Sequence, residues 1–240
     1  MRNTGGMVIS DVPPAPSQRQ AAGGRLSGRV YQELKDRLLE GRFEQGKRIS
    51  MEALKADFGV SKQPIMEAFR LLAADGLVEI LPQIGCRPVR YTAEEAADFF
   101  RVFAGYEGAV AEAAALRRTP GQMEQLRGIS METEGLDALP DADARARAYR
   151  RGNRRFHQAL QEMAHSRVMS AISQRMWDLS DYLVGTSETG GTFGHQTARR
   201  HGEHQDILRA LEEGDSAAAR DLMSAHILHT VELLRSPEGT

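Results

Sequence analysis

The chain has 240 residues, of which 41% are hydrophobic and 27% charged, with a formal net charge of −2 at pH 7. This composition can build one large or two ordinary cores and is too little biased for wholesale disorder. No apolar run approaches the roughly 20 residues of a membrane span, no apolar h-region marks a secretory signal, and the single cysteine, Cys86, excludes an internal disulfide framework and fits a reducing cytoplasm. Charge is unevenly spread: residues 25–91 are mildly basic and residues 92–240 acidic, a two-function pattern.

Residues 1–24 hold Gly, Pro, Ser, Ala and Gln and are expected to be a disordered tail. Val30, Leu34, Leu38 and Leu39 then predict a helix over 28–41, ended by Gly41. After a link containing Gly46, Ser50 caps a short helix that runs to Phe58. Ala53 stands where a capping-box acid would, so the cap is a simple one. Phe58, Gly59 and Val60 form a turn that needs a positive φ at Gly59. The next helix opens at Ser61 as N-cap, carries Pro64 in its first turn and ends before Gly76. Ile65, Ala68, Phe69 and Leu72 give it an inward face, and Ser61, Lys62, Gln63 and Met66 point outward near its N-terminus. Such side chains suit phosphates and base edges in a major groove. Alone, the stretch reads equally as any capped amphipathic helix.

Short extended runs over 77–81 and 86–91 flank Pro82 and Gly85 and predict a β-hairpin, the wing of a winged helix. Arg87 and Arg90 on it would reach phosphates or the minor groove, and Arg48 and Arg70 complete the basic set. Pro88 demotes the second run to an irregular edge strand. Cys86 is expected to be inert, since only Arg87 nearby would lower its pKa.

From Thr92 onward the pattern is helical. Thr92 and Glu95 form a capping box. The helix they open, over 93–118, is apolar around much of its circumference, so it sits centrally or packs on a second subunit. Further helices are expected over 121–131, 142–163, 166–184, 195–213 and 216–235, with a linker over 132–142 and a Gly/Ser/Thr-rich loop over 185–194. All seven histidines lie in this half. Asn153 and His157 are four apart on one helical face, and His204 and His226 fall on the last two helices. Three helices could aim these groups at one point, where imidazole suits zinc, nickel, manganese or iron. On spacing alone, a polar pocket without metal is the favoured reading. Arg150, Arg151, Arg154 and Arg155 read by default as a solvated face.

Several stretches in register carry a resemblance: Val30-Tyr-Gln-Glu-Leu-Lys, Gly46-Lys-Arg-Ile, the run from Phe58 through Ser61-Lys-Gln-Pro-Ile-Met-Glu-Ala-Phe-Arg to Leu72, Asp75-Gly-Leu-Val, and Gly85. Residues 25–91 resemble the winged helix-turn-helix of the GntR family of bacterial transcription regulators. The remainder, 92–236, resembles the FadR-type subfamily with its FCD effector domain, through Asn153-Arg-Arg-Phe-His157, Glu203-His204-Gln-Asp-Ile-Leu and Met223-Ser-Ala-His226. The resemblance implies a mostly α protein: an N-terminal winged helix-turn-helix with a small β-hairpin, then an all-α helical bundle. It implies a cytoplasmic homodimer, not an enzyme, that binds double-stranded operator DNA as a repressor and answers to a small organic acid. It implies a divalent metal (Zn, Ni, Mn or Fe) on Asn153, His157, His204 and His226, and DNA contacts from Arg48, Ser61, Lys62, Gln63, Pro64, Met66, Arg70 and Arg87.

Four positions depart from the family pattern. Met66 and Lys62 replace arginines at the DNA face, and lysine is the poorer bidentate reader of guanine. Asn153 replaces a metal-binding aspartate, so the site loses a charge. Phe103 replaces an arginine, four before Glu107, that implies carboxylate binding. Arg150 and Arg154 are candidates to compensate in the effector site, and His201, three before His204, is a candidate substitute ligand. The alternative readings are a metal-dependent helical-bundle enzyme with an accessory winged helix, and a protein-docking module. No His-Glu-x-x-His string, nucleophile elbow or phosphate-cradling glycine loop supports the enzyme.

Overall fold

The computed structural model describes residues 18–82, 85–187 and 196–235. In the front part, helix α1 (Gln18–Leu39) packs across α3. Residues 18–24 are therefore helical rather than tail; their Gln and Ala residues are good helix formers, and residues 1–17 lie outside the described residues. Val30, Leu34 and Leu38 are buried, and Gly41 ends the helix at φ 69°. Helix α2 (Met51–Phe58) is capped by Ser50, whose hydroxyl accepts from the Ala53 amide at 3.2 Å. Gly59 turns the chain at φ 62°, and α3 (Lys62–Ala74) buries Ile65, Ala68, Phe69 and Leu72. Ser61 has the extended N-cap backbone, but its side chain makes no capping bond. The helix is held by its buried face rather than by that hydroxyl.

Strands β1 (Val78–Leu81) and β2 (Gly85–Pro88) pair antiparallel, with Glu79 opposite Arg87 and Val78 opposite Pro88. Pro88 thus closes a regular register instead of breaking it, as a terminal position costs the sheet no donor. Ile49 bridges to Cys86 on the other edge of β2, its amide donating at 2.8 Å. Burial pushes the Cys86 thiol up to about 12, so it is unreactive at neutral pH.

The back part holds α4 (Ala93–Arg117), α5 (Pro120–Met131), α6 (Ala142–Met163), α7 (Arg167–Gly185), α8 (Thr197–Glu213) and α9 (Ser216–Arg235). Thr92 and Glu95 cap α4 reciprocally, and Thr119 with Gln122 forms a second box before α5 that the sequence reading did not identify. The expected linker contains a short 3-10 turn, Leu136–Ala138. Most of the predicted 185–194 loop, and His195, lie outside the described residues. α4 lies along α9 over a core that includes Phe100, Phe156, Trp177, Leu211 and Met223, and keeps an exposed face with Val102 and Leu116 on it.

The two parts share α7. Tyr182 is fully buried in the front core, and its hydroxyl donates to the Val89 carbonyl at 2.5 Å. The Lys35 ammonium of α1 meets Asp178 of α7 at 3.0 Å, with both side chains nearly excluded from water. Gln45 donates to the Thr186 carbonyl at 3.2 Å. Gly185 packs on the end of α1, where an added Cβ would fall 2.5 Å from the Leu39 carbonyl oxygen. The boundary expected at 91/92 is not a clean divide in space, since α7 packs against the front part as well as the back.

Candidate metal and effector centre

Helices α6, α8 and α9 each aim one imidazole at a common point. His157, His204 and His226 are buried, and a donor nitrogen from each lies within 4.8 Å of the others. Phe156 stacks on His204 with ring centroids 4.1 Å apart, and Trp177 lies 4.2 Å from His157, so packing holds the rings in place. The ε nitrogens of His204 and His226 meet at 3.2 Å. Two nitrogens bound about 2.0–2.1 Å from one ion lie about 2.9 Å apart at a right angle and about 3.4 Å apart at the tetrahedral angle. The observed separation lies between these limits. Both nitrogens of His157 and Nδ1 of His204 are buried without a hydrogen-bond partner. Each such atom costs about 1–3 kcal/mol, and imidazoles left this short of partners around a shared buried point are what a ligand not supplied by the protein itself would satisfy. The residues fit a divalent cation.

Desolvation, the largest cause, lowers all three imidazoles below the ordinary 6.5, and His204 and His226 well below it. For His157 the Glu107 carboxylate opposes this; Arg200 adds to the lowering at all three. The rings are therefore neutral and ligand-ready at pH 7. In metal-free protein the unfolded chain takes up protons near pH 6.5 that the folded rings refuse until lower pH. Stability is then full above that value and falls as pH drops below it. The melting temperature of chelator-treated protein is expected to fall between pH 7.5 and 5.5, by about 2–4 °C for each kcal/mol lost. A flat profile would contradict this burial of neutral histidine.

Asn153 lies beside the cluster, but its Oδ1 accepts from the Tyr149 hydroxyl at 2.9 Å. That hydroxyl accepts from Arg200 Nε at 3.1 Å, and Arg200 Nη2 stands 3.3 Å from His226 Nε2. The amide expected as fourth ligand is thus tied into a polar chain. His201 is turned away: its ring nitrogens meet Thr133 Oγ1 at 3.1 Å and Gln205 Nε2 at 3.2 Å. Phe103 is core rather than pocket wall, stacked on Phe99 and edge-on to Trp177. A small cavity next to the histidines is lined by Tyr149, Arg150, Asn153, Trp177, Asp181 and Arg200, among others, and has about 30 Å³ of free volume, room for one or two waters. Arg150 lines it. Arg154 instead pairs with Asp178 at 2.7 Å and Asp181 at 3.0 Å, over the Trp177 ring. Burial raises the Asp181 carboxyl to about 6, against the pull of Arg154. Sequence reasoning missed Arg200 and Tyr149. Each stands four residues before a candidate ligand, His204 and Asn153, and that helical spacing was the available signal.

At the other end, Arg48, Ser50, Lys62, Met66, Ile80 and Gly85 line a groove between the start of α3 and the wing. Arg48, Ser61, Lys62, Gln63 and Arg70 are exposed, and Pro64 is half-buried. Met66 is also half-buried and packs against the front core, so it is less outward than its position on the helical wheel implied. Arg87 pairs with Glu79 at 2.8 Å across the wing. Both are exposed, and such a pair is worth about 0–1 kcal/mol, little enough for a phosphate to displace.

A winged helix with a polar recognition end, sharing one helix with a bundle built around a buried polar centre, defines a ligand-responsive DNA-binding regulator. Residues 26–87 match bacterial regulatory proteins of the gntR family, and residues 98–229 match the FCD domain. The chain belongs to the GntR family and carries an FCD domain, consistent with the FadR-like subfamily. It is 26% identical over 205 residues to the HTH-type transcriptional regulator YdhC of Bacillus subtilis (strain 168), covering 85% of this chain and 89% of that one. It is 27% identical over 220 residues to the HTH-type transcriptional repressor RspR of Escherichia coli (strain K12), covering 88% and 89%. The solved structure of E. coli McbR/YncC shares the fold, with a TM-score of 0.74 at 16% identity over 87% of this chain and 96% of that one. The family assignment supports the regulator over the enzyme. Among the described residues, no helix is long and apolar enough to cross a membrane.

Proposed function

We propose that this protein is a cytoplasmic, homodimeric repressor whose grip on operator DNA is set by a small organic acid bound beside a divalent metal. The observation that carries this reading is the shared use of α7. Its Trp177 and Asp181 line the effector cavity, and its Asp178 and Tyr182 are anchored in the DNA-binding head. A ligand that favours one pose of α7 therefore favours one pose of the head, with a coupling equal to its differential affinity for the two poses. His157, His204 and His226 hold the metal, which supplies a Lewis-acidic point for a carboxylate. Arg200 and Arg150 line the cavity that would receive that group. With about 30 Å³ free, the cavity must open to admit anything larger than water, which is the structural change that ligand binding requires.

Dimers read two half-sites, which makes a mildly basic head specific. Lys62 and Gln63, exposed at the start of α3, carry base discrimination, and Arg48, Arg70 and Arg87 hold phosphates. In a DNA-shift assay at fixed salt, K62A combined with Q63A is expected to lower the preference for operator over random DNA by at least about 30-fold, since two base contacts at about 1–3 kcal/mol each sum to about 2–6 kcal/mol. An unchanged preference rejects the assignment. The same assay with zinc and a series of carboxylic acids tests the effector class: release of operator by one of them supports it, and indifference to all of them rejects it.

A further inference from the structure

We infer that Glu107 and Glu203 are the positioning carboxylates of the three-histidine centre. Each faces the δ nitrogen of one imidazole so that its ε nitrogen is left for the ion, and together they supply the negative charge that Asn153 does not. This inference rests on the metal reading proposed above and adds two residues to it.

Glu203 lies on α8, and its Oε2 is 2.8 Å from Nδ1 of His226. A carboxylate has no proton to give, so Nδ1 carries it and Nε2 keeps its lone pair. That same Nε2 is the atom 3.2 Å from His204 Nε2 and 3.3 Å from Arg200 Nη2. The nitrogen freed by Glu203 is thus the one at the centre of the cluster. Glu107 comes from α4 and is fully buried. One of its oxygens accepts from the Ser173 hydroxyl of α7. The other, Oε2, has no hydrogen bond and faces Nδ1 of His157, which also has none, at 3.6 Å. That distance is a few tenths of an ångström beyond a bond. An ion on Nε2 of His157 requires the proton on Nδ1, and the acceptor opposite is Glu107.

Neither carboxylate is itself a ligand. Among the described His, Cys, Asp and Glu residues, the group whose donor atoms share one point is the three histidines. The carboxylates act through the rings, fixing tautomer and raising ligand basicity. Charge points the same way. A divalent ion on neutral imidazoles, with Arg200 alongside, would leave a large positive charge in a desolvated bundle. The two carboxylates offset it. Glu203 does so less fully, because it also meets His229 at 2.7 Å and Arg199 at 3.3 Å.

The test uses the full chain and zinc, competed against a colorimetric chelator, for the native sequence, E107Q and E203Q. Each glutamine keeps the side-chain shape and removes the charge. Each variant is expected to bind zinc about 10–100-fold more weakly, with a metal-free melting temperature that is not lowered. Imidazole nitrogen NMR of the zinc-loaded native protein should show His157 and His226 protonated at Nδ1. Equal zinc affinity in all three proteins, with unchanged tautomers, overturns the positioning role and leaves the metal reading standing. Failure of the native chain to bind zinc, nickel or manganese overturns the metal reading itself, and this inference with it.

Discussion

Asp178→Ala is expected to cost about 3–5 kcal/mol of folding stability, the usual loss when one member of a buried ion pair is removed. Asp178 sits on α7 between two cations: Lys35 of α1 at 3.0 Å and Arg154 of α6 at 2.7 Å. Lys35 and Asp178 are nearly excluded from water and Arg154 is half-buried. Alanine leaves the Lys35 ammonium buried without its carboxylate, whereas Arg154 keeps Asp181 at 3.0 Å. Urea denaturation should show a lower midpoint with an unchanged slope. A loss below about 1 kcal/mol, the scale of a surface pair, would mean that the contact does not hold the two parts together. The paired swap K35M with D178L should recover most of the stability, because apolar replacement of a buried pair is often neutral. The swap should also weaken the response of operator binding to effector, since it removes the polar tie that links the cavity wall to the head.

The second large effect is that of the metal itself. At a thousand times its dissociation constant, an ion that binds only the folded state adds about 4 kcal/mol. For a chain of this size each kcal/mol moves the melting temperature by about 2–4 °C, so zinc is expected to raise it by about 8–16 °C over chelator-treated protein. His204→Ala and His226→Ala should abolish the shift, since each removes a nitrogen from a cluster whose members lie within 4.8 Å of one another. Asn153→Asp, which restores a carboxylate one turn before His157, should increase it. Identical melting curves with zinc, nickel, manganese and chelator would refute a metal centre here.

Much of this was legible beforehand, and the reason is local. The inward face of α3 follows from helical spacing, and Ile65, Ala68, Phe69 and Leu72 are the residues it buries. Gly41, Gly59 and Gly76 mark the ends of helices because only a residue without Cβ takes positive φ cheaply, and all three do so. Thr92 with Glu95 announces α4, since both halves of a capping box lie within four residues. The three histidines could be placed on three helices by the same periodicity.

Other features were not legible, because they depend on how helices distant in sequence cross. No spacing tells that Tyr182, in the second half of the chain, fills the front core, or that Lys35 finds its partner at Asp178. Phe103 occupies a position where the family pattern has an effector-binding arginine, yet the rotation of α4 turns it into the core against Trp177. His201 shares a helix with His204 and faces Thr133 instead of the cluster. The Asn153 amide is a possible ligand by composition and a partner of Tyr149 by geometry.

The sequence by itself determined the winged-helix front and helical back, the capped helix α3 with Lys62 and Gln63 exposed at its start, and the placing of the three histidines on three helices, because caps, periodicity and residue chemistry act within a few turns of chain. Only the tertiary structure decided that the two parts share α7, that Arg200 stands at the histidine cluster, and that Glu107 and Glu203 back two of its rings. Those facts are set by helix packing, where a rotation of a few tens of degrees determines which side chains meet.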